Sequence, residues 1–131
     1  MSTPALAQWL SNTLYYKRFF PYYAFCVLAG IDDAGVGACY SYDAVGSFER
    51  VSCASSGSAQ TLLQPFLDCQ ITRMHQQILP EGGTGPSSLS VDDAKALIRE
   101  AMTSASERDI HTGDFLDIFV ISQTAGISTE R

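Results

Sequence analysis

The sequence predicts an α+β fold, and three observations carry the prediction. Apolar residues recur at helical spacing in three windows, beginning near Thr3, Ser58 and Ser90. Between the first two windows, short apolar runs alternate with tight-turn residues, as antiparallel strands do. A last apolar run, from Phe115, is followed by its own turn. The predicted order is helix, three-strand antiparallel meander, two helices, two strands.

Thr3-Pro4 reads as a helix start, a capping hydroxyl followed by proline at the first helical position. Leu6, Trp9, Leu10, Thr13 and Leu14 continue it to about Tyr16. Tyr22 to Ile31 reads as a strand. Its alternate sets, Tyr23, Phe25, Val27, Ala29, Ile31 and Tyr22, Ala24, Cys26, Leu28, Gly30, are both apolar. A strand of that kind is covered on both faces. Asp32-Asp33-Ala34-Gly35 supplies turn chemistry, Gly37 to Tyr42 is the second strand, and Asp43-Ala44-Val45-Gly46 returns the chain through Ser47 to Ala54.

From Gly57-Ser58 the pattern turns helical, with Leu62, Leu63, Phe66, Leu67 and Ile71 on one side and Pro65 placed to kink it or loosen a turn. Met74 to Ser88 holds Pro80, Gly82, Gly83, Gly85 and Pro86 and reads as an exposed loop. Ser90 to Asp93 approximates a capping box, with aspartate where glutamate is usual. Val91, Ala94, Leu97, Ile98, Ala101, Met102 and Ala105 form an apolar stripe ending near Arg108, and the three alanines permit close approach by a neighbour. Phe115 to Ser122 is a strand, which Thr124-Ala125-Gly126 turns into a short last one, Ile127 to Glu130.

A chain of 131 residues makes a single domain that buries about two-thirds of its unfolded surface. With 46% hydrophobic and 17% charged residues it is globular. A net charge of −6 disfavours nucleic acid and anionic membrane as partners, since both are negative. Cys26, Cys39, Cys53 and Cys69 are too widely spaced for a zinc motif and read as reduced thiols, the first three packed as small hydrophobes. No signal peptide or membrane-length apolar run is evident, which gives a cytoplasmic and nuclear expectation.

Four segments carry a resemblance: YYKRFFPYYAFCVLAGID from Tyr15, GACYSYDAVGSFERV from Gly37, GSAQTLLQPFLD from Gly57 and SERDIHTGDFL from Ser106. In this order they resemble the second half of proteasome beta subunits, most of all the non-catalytic kind at the sixth beta position of the ring. The likeness runs from about Ala5 to about Thr129. It implies one partial domain over residues 1–131, the C-terminal half of an N-terminal-nucleophile-hydrolase-type αββα sandwich. The strands that bear the N-terminal threonine and its lysine have no counterpart in the sequence. The implied role is structural: a non-catalytic beta subunit that helps build the ring of the core particle in ATP- and ubiquitin-dependent protein degradation. Its implied partners are the other alpha and beta subunits, with no cofactor, nucleic acid or membrane. The rival readings are an N-terminal-nucleophile amidohydrolase or threonine peptidase fragment, and a free-standing interaction module.

By the same resemblance, Gly57-Ser58-Ala59 stands in the place of a Gly-Ser-Gly motif, and Ser58 matches its supporting serine. Asp109-Ile110-His111-Thr112-Gly113 stands in the place of Asp-x-x-Ser-Gly, with Thr112 for the serine. Inactive subunits keep these positions too, so no catalytic residue is expected. Some relatives hold a cation in this turn through main-chain oxygens, which would place Ser106, Asp109 and Thr112 around it. The residues have plainer readings as well. Ser58 caps the helix after it, Asp109 accepts backbone hydrogen bonds in a turn or pairs with Arg108 or another cation, and Thr3 caps a helix. His75 and His111 have no second histidine at ligand spacing, and Asp32-Asp33 and Asp92-Asp93 suit a turn and a helix N-terminus. Phe19, Phe20, Pro21, Tyr22 and Tyr23 are either a buried corner or an interface.

Two-faced strands need two covering layers. The two central helices, with the first helix, are expected to cover one face of the sheet, leaving the other open. Exposing a large apolar side chain costs about 1.5–3 kcal/mol. Five of them rival the roughly 5–15 kcal/mol stability of a domain. A second sheet from elsewhere is therefore expected.

Overall fold

The computed structural model describes residues 2–72 and 89–131; the loop expected over 74–88, with His75, lies outside the described residues. The elements are α1 (Thr3–Tyr16), β1 (Val27–Ile31), β2 (Gly37–Tyr42), β3 (Phe48–Val51), α2 (Gln60–Leu67), a π-helical turn (Asp68–Thr72), α3 (Val91–Ser106), β4 (Ile118–Ser122) and β5 (Gly126–Glu130). This is the predicted α+β order. The chain divides into two compact units, Met1–Gly57 with Phe119–Glu130, and Ser58–Ile118 with Arg131.

The first unit is built on a β1-β2-β3 antiparallel sheet, with Leu28 opposite Tyr40 and Tyr42 opposite Phe48. One face packs on α1: Ala7 and Leu14 from the helix meet Ala38, Tyr40 and Tyr42 from β2, with Leu10, Cys26, Leu28 and Phe48 around them. Tyr42 stacks on Phe48 at 5.3 Å between ring centroids, and its buried hydroxyl donates to the Ala7 carbonyl at 2.7 Å. The side chain thus contributes apolar area without stranding its polar tip. Val27, Ala29, Ile31, Cys39 and Val51 alternate onto the other face and are at most half-buried, and none of them joins this core. Within this unit, then, the first helix covers one face of the sheet.

Two glycines allow α1 to lie so close. A methyl group on Gly46, whose φ is +90°, would stand 2.5 Å from the Ser11 carbonyl oxygen. The Ser11 hydroxyl in turn donates to the Gly46 carbonyl at 2.6 Å. A methyl on Gly30 would meet the Thr3 side chain, whose hydroxyl donates to the Ile31 carbonyl at 2.6 Å. This corrects the reading of Thr3 as a cap: Ser2 is the N-cap residue, without a side-chain bond, and Thr3 lies inside the helix tying it to β1.

Strand ends fall short of the sequence expectation for a physical reason. β1 was expected from Tyr22 but begins at Val27, because β2 ends at Tyr42 and its last amide bonds the Cys26 carbonyl at 3.1 Å. Beyond that point β2 offers no partner, and Tyr23 takes a left-handed φ of 55° that a strand excludes. In the turn, the Asp32 carboxylate accepts the Ala34 and Val36 amides and the Arg50 guanidinium. Those bonds, the Val36 amide foremost, hold its pKa below the usual carboxylate value.

Cys39 and Cys53 are half-buried rather than enclosed, and Cys69 is exposed; all four cysteines are free thiols. Burial pushes the Cys39 thiol pKa up. β4 and β5 pair as a separate two-stranded sheet. β4 starts at Ile118 rather than Phe115, matching the five residues that β5 provides.

In the second unit α2 packs against α3. Ala101 and Ala105, the small residues of the α3 stripe, are buried. The Ser90 side chain caps α3 by accepting the Asp93 amide at 3.1 Å and donates to the Asp93 carboxylate at 2.7 Å. The serine half of a capping box is thus present, while the Asp93 carboxylate takes the Ser90 hydroxyl where the full motif would take the Ser90 amide. Pro65 is held inside α2, and the chain widens into the π turn three residues later. Among the described residues no helix is long and apolar enough to cross a membrane.

Candidate functional site

The second unit brings together all three motif residues. α3 ends at Ser106, and Arg108 to Thr112 form a turn in which the Thr112 amide bonds the Asp109 carbonyl at 3.2 Å. The Asp109 amide closes on Ala105 at 2.8 Å, which fixes the side chain where the helix stops. Its Oδ1 accepts the His111 amide at 3.1 Å, an arrangement typical of aspartate turns. Its Oδ2 takes two hydroxyls, from Ser58 at 2.5 Å and Thr112 at 2.7 Å. The two hydroxyl oxygens lie 3.5 Å apart.

Ser58 therefore does not cap α2. The N-cap residue there is Ala59, without a side-chain bond, and the serine hydroxyl faces a carboxylate far along the chain. Asp109 has the turn role foreseen for it, with two hydroxyl partners that a local reading does not supply.

Hydrogen bonds to an ionised carboxylate favour the ionised form. The Ser58 hydroxyl first, then the Thr112 hydroxyl and the His111 amide, hold Asp109 below the usual carboxylate pKa, against a smaller opposing effect of desolvation. A carboxylate so stabilised is a weak base. It orients two hydroxyls, each with its proton directed at Oδ2 and its lone pairs left to accept. The arrangement suits a supporting, proton-holding contact better than a nucleophile, which needs an adjacent base matched to the working pH.

Ser106 closes α3 with its hydroxyl donating to the Thr103 carbonyl at 2.8 Å. With Asp109 and Thr112 it offers oxygen donors, which suit a hard cation. The Asp109 carbonyl accepts the Thr112 amide, and a carbonyl oxygen carries two lone pairs. Among the described residues no three histidine, cysteine or acidic side chains cluster as metal ligands do. An open cleft lined by Met102, Ser106, Thr112, Asp114 and Phe115 lies alongside the turn.

Comparison with known proteins sets this geometry in a family. The family described as proteasome subunit matches residues 1–121. The chain belongs to the proteasome subunit family. It is 50% identical over 131 residues to the proteasome subunit beta type-1 of Dictyostelium discoideum, covering all of this chain and 53% of that one. Identity is 51% over 130 residues to the namesake from Arabidopsis thaliana, covering 99% of this chain and 57% of the relative. It is 52% over 131 residues to that of Petunia hybrida, covering 100% and 58%. The chain thus spans a little over half the length of these curated relatives. The α+β arrangement of this proteasome-family chain fits the N-terminal-nucleophile-hydrolase fold of the family.

Proposed function

We propose that this chain acts as part of a structural, non-catalytic beta subunit of the proteasome core particle. One observation carries the reading: about half of its residues are identical to those of proteins named beta type-1, along its whole length. The Asp109 node supports the passive role. Its two hydroxyls point at a carboxylate of lowered basicity. Thr3, the other conceivable nucleophile, sits within α1 with its hydroxyl donated to Ile31. Ser106, Asp109 and Thr112 are proposed as a main-chain cation site in the same turn.

The sheet supports assembly. The apolar face opposite α1, with Val27 40% exposed, suits a second β-layer of the family's four-layer sandwich. The partners on this reading are other alpha and beta subunits, the process is ATP- and ubiquitin-dependent degradation, and the setting is cytoplasm and nucleus.

The test is incorporation. Tagged chain is supplied to assembling core particles with the segment that bears the first sheet provided in trans, and the particles are resolved by native gel and mass spectrometry. Stoichiometric incorporation at a beta position is expected. A chain that stays outside every assembly intermediate contradicts the reading.

A further inference from the structure

We propose that the corner joining α1 to β1, residues Tyr15–Phe25, is a protein-docking surface whose partner presents carboxylates beside apolar side chains. The corner displays its rings to solvent: Phe19 is 88% exposed, Phe20 85%, Tyr16 82% and Tyr23 77%. None of them belongs to the core between α1 and the sheet. Four exposed aromatic side chains within one short segment of chain mark an interaction site more readily than single apolar residues scattered over a surface.

Its cations are already set in place. The Arg18 guanidinium lies 4.6 Å from the Tyr15 ring centroid and 4.5 Å from that of Phe19. The Lys17 ammonium lies 5.4 Å from the Tyr22 centroid. Rings on both sides restrict the arginine before any partner arrives, which lowers the entropy lost on binding. Tyrosine and arginine are also the residue types that dominate binding energy in protein interfaces. Tyr23 is held at a φ of 55°, a strained value for a bulky residue, and meets Phe25 edge-to-face at 5.5 Å.

Charge names the partner. Residues 1–31 contain two of the eight basic residues, Lys17 and Arg18, and none of the fourteen acidic ones. The rest of the chain holds six basic and all fourteen acidic residues, so the corner is a cationic site on an acidic molecule. Two cations on a chain of net charge −6 are too few for a polyanion such as nucleic acid or an anionic membrane. A two-fold contact between copies would set cationic corner against cationic corner. A carboxylate-bearing protein face with apolar neighbours satisfies both the rings and the charges.

The inference rests on the core-particle reading for its choice of partner: another subunit of that particle. The experiment measures binding of the full chain to separately purified core subunits by biolayer interferometry, at low and high salt. It compares wild type, Lys17→Glu/Arg18→Glu, Phe19→Ala/Phe20→Ala and the control Lys95→Glu, each checked for native circular dichroism. The expected result is at least one subunit bound by wild type and by the control. Both double variants then bind at least tenfold more weakly, and high salt weakens wild type. Binding that survives both double variants overturns the docking surface and leaves ring membership standing. Loss with the phenylalanine variant alone overturns the carboxylate partner. No binding of any subunit by wild type counts against both readings. Sedimentation showing a dimer abolished by the corner variants, or corner-dependent flotation with phosphatidylserine vesicles, assigns the surface to another occupant and overturns the proposal.

Discussion

Asp109 and Ser58, 51 residues apart in sequence, are joined by a 2.5 Å hydrogen bond from the serine hydroxyl to the carboxylate. That contact links the start of one helix to the end of another and defines the motif region of this proteasome-family chain. Because Ser58 is the largest cause of the lowered Asp109 pKa, Ser58→Ala is expected to raise that pKa toward the ordinary carboxylate value, and Ser58→Ala/Thr112→Val further. The readout is the carboxyl carbon shift against pH by NMR. An unchanged titration would mean that the hydroxyl bond does not govern the acid.

The same bonds set a pH dependence. The folded-state pKa of Asp109 lies below its unfolded value, so folding favours the ionised form. The associated stabilisation is complete above the unfolded carboxylate pKa and disappears as pH falls through the folded one. Unfolding midpoints of wild type and Asp109→Asn should therefore converge as pH is lowered through that acid range, with the difference constant near neutrality. A gap that widens on acidification would reverse the assigned sign.

Tyr42→Phe keeps the ring stack on Phe48 and removes the hydroxyl bond to Ala7. A net loss of about 0.5–1.5 kcal/mol is expected for such a bond. Tyr42→Ala also empties a core position and should cost about 3–5 kcal/mol, as other aromatic-to-alanine changes do. Urea unfolding of both variants checks the order. Equal losses would show that the ring contributes nothing beyond its hydroxyl.

Gly46→Ala should be more damaging than Gly30→Ala. At Gly46 the new methyl meets backbone and the φ is left-handed, whereas at Gly30 it meets the Thr3 side chain. Alanine at an incompatible positive φ loses more than the roughly 0.4–1 kcal/mol that a compatible glycine replacement gains. Thr3→Ala should partly rescue Gly30→Ala and leave Gly46→Ala unrelieved. Additive effects of Thr3→Ala and Gly30→Ala in a double-mutant cycle would argue against the close approach.

The element order was legible because each helix and strand carries a local signal: Pro4 in the first turn of α1, the aspartate turns at Asp32 and Asp43, the Ser90–Asp93 cap. What failed depended on partners distant in sequence. The start of β1 is fixed by where β2 ends, and nothing in Tyr22 to Cys26 records that limit. Thr3 and Ser58 both looked like caps, since a hydroxyl before a helix is the local rule. Their actual acceptors are Ile31 and Asp109. Only the resemblance of the two motifs to those of beta subunits hinted that Ser58 and Asp109 belong together. Sequence alone leaves the aromatic corner undecided, because rings at a helix-to-strand junction are common to cores and interfaces alike.

The most direct test of a non-catalytic role is labelling with an electrophile directed at the nucleophilic hydroxyl of the proteasome. Assembled particles containing the chain are treated with an epoxyketone probe and analysed by mass spectrometry. A non-catalytic role predicts that the chain is present at full stoichiometry and carries no adduct while the active subunits are modified. An adduct on Ser58, Thr112 or any other hydroxyl of this chain would contradict it.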